Sequence, residues 1–249
     1  MTGAPSDATT SPGSSTRSIR LFIFARHAES ALNAAGLLSS DPSRPIGLTP
    51  RGAEQARRLG QQFANLSIGL AVVTRFLRTR ETVELALHGR DIPLLVEPDL
   101  DEIHAEAFDG QPISDYWAWK DEHGRGERFP DGESLDDAGQ RYAEALRRLL
   151  GRSEAVTLIV GHELAIRYLV EAAAGVNELG LSELRIANAT PYLFDEAALR
   201  NAVERLEAFA SAASRDGGLA DQRLALTQAL AAFAGENSSF SDGKTEIVL

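Results

Sequence analysis

Two short apolar runs frame this chain. Ile19 to Ala25 (IRLFIFA) and Ala155 to Val160 (AVTLIV) each stop at a polar site, Arg26-His27 after the first and Gly161-His162 after the second. Runs of this length, rich in β-branched and aromatic residues, predict strands buried on both faces. Helical segments lie between them. Thr49 followed by Pro50 opens TPRGAEQARRLGQQFAN with a cap and a proline at the first helical position. Leu77 to Leu87 and Asp136 to Leu150 read as further helices, and Ile68 to Val73 and Leu94 to Val96 as further strands. Strands alternating with helices predict an α/β fold, a doubly wound, mostly parallel sheet sandwiched by helices. Ligands of such sheets bind beyond the carboxyl ends of the strands. Arg26, His27 and His162 fall at that edge.

The flanks differ in composition. Residues 1–18 (MTGAPSDATTSPGSSTRS) have almost nothing to bury and read as a disordered tail. After Asp195 the chain turns to Ala, Leu, Glu and Arg in two segments, 196–213 and 219–234, broken at Asp216-Gly217-Gly218. They predict a helical hairpin over 196–234 whose apolar stripes cover the main domain or pair with a second copy of the chain. The polar stretch 235–249 is expected to be mobile.

Composition narrows the chemistry. The chain has 249 residues and no cysteine, which excludes thiolate catalysis and cysteine-ligated metals and leaves His, Asp, Glu, Ser and Arg. A net charge of -11 argues against a nucleic-acid partner, and an anionic small substrate then requires a local positive pocket. No run approaches the ~18 apolar residues of a membrane span, and Met1 to Arg20 lacks the apolar stretch of a signal peptide. The expectation is a cytoplasmic chain with no membrane partner.

Four segments carry reactive side chains. Arg26-His27-Ala28-Glu29-Ser30, with Asn33 beyond it, sets a forked donor beside an imidazole, which suits a phosphoryl group. An exposed arginine with a capping histidine is the plain alternative. Thr74 to Thr82 (TRFLRTRET) places three arginines at a helix start; Arg78 is the inward candidate, while Arg75 and Arg80 read as a solvated face. Leu100 to Gly110 (LDEIHAEAFDG) is an acidic cluster or a polar loop. Val160 to Arg167 (VGHELAIR) repeats strand, small residue, histidine, helix. Its His-Glu pair lacks the second histidine of a zinc motif because Ile166 stands there.

In this order the pieces resemble the histidine phosphatase superfamily, also called phosphoglycerate mutase-like, over about Leu21 to Leu193. They are LFIFARHAES..N, GLTPRGAEQARRLG, TRFLRTRET, LDEIHAEAFDG, PDGES, LIVGHELAIR and NATPYLFD. The resemblance implies a catalytic domain over 19–195, with no metal and no organic cofactor. It implies His27 as nucleophile, Arg26, Arg78 and His162 as the phosphate clamp, Glu102 as proton donor, and Ser30 and Asn33 as further phosphate contacts. Ala28 and Glu163 stand where the family usually has glycine. A methyl at Ala28 is expected close to the phosphate, and Glu163 is expected to point away or to stabilise a protonated His162.

Hydrolysis of a small phosphorylated metabolite through a phosphohistidine is the favoured reading, because the long insertions of phosphoglycerate mutases are not evident. A phosphomutase and a non-catalytic phosphate-binding regulatory module are the alternatives. Tyr116, Trp117 and Trp119, between Gly110 and Pro130, are expected in a lid, stacking on substrate or packing the lid itself.

Overall fold

The computed structural model describes residues 20–176, 179, 184–212 and 247–248. Its strands are β1 (Leu21–Arg26), β2 (Leu70–Val73), β3 (Leu94–Val96), β4 (Val156–Gly161), β5 (Pro191–Asp195) and β6 (Ile247–Val248). They form one sheet in the order β3-β2-β4-β1-β5-β6. The pairs β1/β4, β4/β2, β2/β3 and β5/β6 are parallel, and β5 runs antiparallel to β1. The helices are α1 (Ala31–Ala34), α2 (Pro50–Gln62), α3 (Leu77–Ala86), α4 (Ile113–Glu122), α5 (Leu135–Leu150), α6 (Glu163–Ala173) and α7 (Glu196–Ser211).

The alternation within β1 explains why the sheet is covered twice. Phe22 and Phe24 join Leu70, Val72, Ile159 and Phe194 in one core with residues of α5, α6 and α7. Ile23 and Ala25 face the other way and join Ala71, Val73, Leu158 and Val160 in a second core with residues of α2 and α3. Successive side chains of a strand point to opposite faces, so an unbroken apolar run needs a layer on each side. Phe24 meets Phe194 edge-on with centroids 5.5 Å apart, and truncating such a ring costs about 3–5 kcal/mol.

The helix start at Thr49-Pro50 is confirmed. Thr49 Oγ1 accepts from the amide of Gly52 at 3.0 Å. A Cβ at Gly52 would lie 2.1 Å from the carbonyl oxygen of Glu29, so only glycine lets α2 seat against the loop that follows His27. The segment between Gly110 and Pro130 contains α4, a helix that the sequence reading did not anticipate.

α7 buries Leu199, Ala202, Val203 and Leu206, and it packs on α5 and α6. The second half of the expected hairpin, 219–234, and the tail 1–18 lie outside the described residues, as does 235–249 apart from β6. No described helix is long and apolar enough to cross a membrane.

Candidate active site

Strand register brings the two histidines together. Arg26 pairs with Gly161 across β1 and β4, so the next residue on each strand, His27 or His162, leaves the sheet at the same edge. Parallel neighbours lie about 4.8 Å apart, and the two ring centroids are 5.5 Å apart. The backbone around His27 is tied down: its amide donates to Gly161 O at 2.9 Å, and Asn188 Nδ2 donates to its carbonyl at 2.7 Å.

Hydrogen-bond partners settle the ring nitrogens of His27. His27 Nδ1 lies 2.8 Å from Ala28 O. A carbonyl only accepts, so Nδ1 carries the proton and Nε2 the lone pair. That lone pair accepts from Arg78 Nε at 3.0 Å. His162 Nδ1 faces Arg78 Nη2 at 3.3 Å, and its Nε2 lies 2.9 Å from Thr74 Oγ1. Burial, then the charges of Arg78 and Arg26, hold the His27 pKa well below its usual value. The same burial and Arg78 depress His162. Both rings are therefore neutral near pH 7.

Arg78 is the buried arginine of its segment. It lies in the first turn of α3 and donates from Nη1 to Ser39 Oγ at 2.9 Å and from Nη2 to Ser39 O at 3.0 Å. Its pKa is lowered to about 10, chiefly by burial, so it remains charged. Arg75 is half-exposed and pairs with the buried Asp101, and Arg80 is exposed.

Among the acids of Leu100 to Gly110, Glu102 reaches the histidines: its Oε2 is 3.8 Å from His162 Nδ1. Burial raises its pKa, against the opposing charge of Arg78. Arg141 holds this loop, donating to Asp99 O at 3.0 Å, Asp101 O at 3.1 Å and Glu102 O at 3.4 Å. Arg141 also pairs with Glu133, whose Oε1 accepts from the amide of His104 at 3.0 Å. PDGES thus anchors the loop carrying Glu102, while Ser134 caps α5.

Three expectations need correction. Ser30 is fully buried as the N-cap of α1, its hydroxyl accepting from the amide of Asn33, and does not line the pocket; Asn33 does. Ala28 places its methyl in the core with Ala56 and Leu59, and its amide donates to Thr82 Oγ1 at 3.0 Å, so the methyl is not a phosphate neighbour. Glu163 neither points away nor supports a protonated His162: its Oε2 lies 2.8 Å from Arg26 Nη1. Arg26 Nη1 also donates to Ile186 O at 2.8 Å.

The pocket above these groups encloses about 300 Å³, at the small end of ligand cavities. Tyr116 and Trp117 of α4 line it. Trp119 packs within its own segment, its ring centroid 4.2 Å from that of Phe129 and stacked on His123 at 4.0 Å. Sequence reasoning missed Ser39, Asn188, Arg167 and Arg185 as wall residues. Arg167 was open to discovery, since it stands four residues after Glu163 and so on the same helix face. Among the described residues no three His, Cys, Asp or Glu side chains are grouped to hold a metal ion.

Two neutral imidazoles, two guanidinium groups and a carboxyl of raised pKa at the carboxyl edge of a parallel sheet define a site able to bind and transfer a phosphoryl group. The family model described as histidine phosphatase superfamily (branch 1) matches residues 22–208, and the chain belongs to that superfamily. A protein of Photorhabdus laumondii subsp. laumondii bearing the name "Probable phosphoglycerate mutase GpmB" is 31% identical over 173 residues, covering 66% of this chain and 79% of its own. A protein of the same name from Serratia proteamaculans is 28% identical over 171 residues with the same coverage. The fold matches the alpha-ribazole phosphatase from Shigella flexneri with a TM-score of 0.60 and 24% identity, over 70% of this chain and 89% of that one. It also matches a mycobacterial glucosyl-3-phosphoglycerate phosphatase with a TM-score of 0.58 and 18% identity, over 70% of this chain and 92% of that one. At these identities the solved structures speak for the shared fold.

Proposed function

We propose that this chain is a metal-independent phosphomonoesterase that hydrolyses a small phosphorylated metabolite through a phosphohistidine on His27, with Glu102 as the proton donor. The observation that carries this reading is the fixed tautomer of His27: Nδ1 is tied to Ala28 O, and the Nε2 lone pair faces Arg78 beside His162.

The Nε2 lone pair forms a bond to phosphorus as the P–O ester bond breaks, and the departing oxygen takes its proton from Glu102. Arg26, Arg78 and His162 hold the phosphoryl oxygens, with Asn33 at the wall. Positioning and charge supply most of the catalysis for so loose a transition state. Thr74 gives His162 a second option. A hydroxyl either donates or accepts, so His162 can carry its proton on Nδ1, toward a phosphoryl oxygen, while Thr74 donates to Nε2. In the second half, ionised Glu102 takes a proton from water, the water oxygen bonds to phosphorus, the N–P bond breaks and phosphate leaves.

The test uses purified protein, an aryl phosphate and a metal chelator. Phosphate release, an acid-labile and alkali-stable phosphoenzyme, and loss of both in His27→Ala support the reading. Dependence on added metal, or equal activity in His27→Ala, overturns it. The name of the relatives favours a second reading, a phosphomutase. Transfer of the phosphoryl group to an added hydroxy acid in preference to water selects it.

A further inference from the structure

Resting on the phosphoryl-transfer reading, we propose that Arg167 and Arg185, which both lie against the Trp117 indole, form a second oxyanion subsite in the same pocket. The substrate is then a phosphate monoester carrying another anionic group, a carboxylate or a second phosphate, on its leaving-group side.

The two arginines converge on one side chain. The guanidinium carbon of Arg167 lies 5.3 Å from the Trp117 ring centroid and that of Arg185 lies 4.6 Å from it. All three residues line the pocket together with His27, Arg78 and Glu102. Arg167 is 2% exposed, yet among the described residues its Nε is buried with no hydrogen-bond partner, and so is Trp117 Nε1. Buried donors of this kind cost stability unless a partner satisfies them. No described carboxylate lies within ion-pair distance of either guanidinium, whereas Arg26 has Glu163.

Beside His27, Glu163 offsets Arg26, leaving Arg78 as the net charge. Around Trp117 two further guanidinium groups line the same cavity, in a chain whose net charge is -11. A ligand with a second negative charge besides its phosphoryl group matches that layout. Glu163 and Arg167 are one turn apart on α6, so their backbone positions are about 6 Å apart along the helix axis. This separation and the cavity of about 300 Å³ fit a short phosphorylated acid or a compact bisphosphate. No single motif carries the subsite, because its residues come from α4, α6 and the approach to β5.

Three phosphonates that cannot be hydrolysed test the subsite by calorimetry, whether or not the protein proves to be a phosphatase: propylphosphonate, 3-phosphonopropionate and propane-1,3-bisphosphonate. At least one of the last two should bind about tenfold or more tightly than propylphosphonate, and which one does so distinguishes carboxylate from phosphate. Arg167→Gln and Arg185→Gln should each bring that ratio toward one. Arg185 is exposed, so its variant answers the question even if Arg167→Gln does not fold. Three equal affinities in the wild-type protein, or an unchanged ratio in a folded Arg185→Gln, overturn the subsite. Aryl phosphate hydrolysis by the same preparation judges the phosphatase reading separately.

Discussion

Glu163 Oε2 lies 2.8 Å from Arg26 Nη1, so a carboxylate already occupies a donor that the proposed clamp needs. Both side chains are largely buried, and Arg26 Nε and Glu163 Oε1 have no other partner among the described residues. A phosphoryl group must compete with Glu163 for this guanidinium.

Removing the competitor should tighten phosphate binding. In Glu163→Gly the inhibition constant for inorganic phosphate or vanadate is expected to fall about tenfold, close to 1.4 kcal/mol. Steady-state inhibition measures it. Weaker inhibition in the variant would mean that Glu163 positions Arg26 instead of masking it.

Glu102 should matter most when the leaving group is poor. A positioned general acid contributes about 10²–10⁴-fold, but a good leaving group needs little protonation. Glu102→Gln is expected to slow an alkyl phosphate at least about tenfold more than p-nitrophenyl phosphate. Equal losses on the two substrates would remove Glu102 from the role of proton donor.

The pH profile follows from opposite shifts. His27 is reactive when neutral, and burial and Arg78 lower its pKa, so the acid limb of kcat/KM should lie below about pH 6.5. Glu102 must be protonated for the first step, and burial raises its pKa. The rate should then fall as pH rises through that value, which lies above the usual carboxyl range. After correction for substrate ionisation, Glu102→Gln should lose the alkaline limb and keep the acid one.

Arg141 tests the loop behind the site. It pairs with the buried Glu133 and donates to three carbonyls of the loop that carries Glu102. Arg141→Met leaves Glu133 uncompensated, and an orphaned buried charge costs about 3 kcal/mol or more. Urea unfolding should show that loss, and kcat should fall as Glu102 loses its fixed place.

Much of the fold was legible because local chemistry wrote it. The apolar runs that became β1 and β4, the Thr49-Pro50 start of α2, and the histidine just beyond each strand depend on side-chain period and capping, which are short-range. The inward Arg78 was legible for the same reason, since its place in the turn set its direction.

What the sequence determined by itself was therefore the doubly wound sheet, the edge where the candidate site lies and the titratable groups there. Only the tertiary structure decided how those groups are used. Ser30 turned out to be a helix cap because Asn33 completes a box with it. Ala28 faces the core because α2 and α3 cover that side of the sheet. Glu163 reaches Arg26, and Arg167 and Arg185 meet at Trp117, because β1, α4, α6 and the approach to β5 converge on one pocket. Each of these depends on residues far apart in the chain, and a partner chosen across the fold leaves no periodic mark along it.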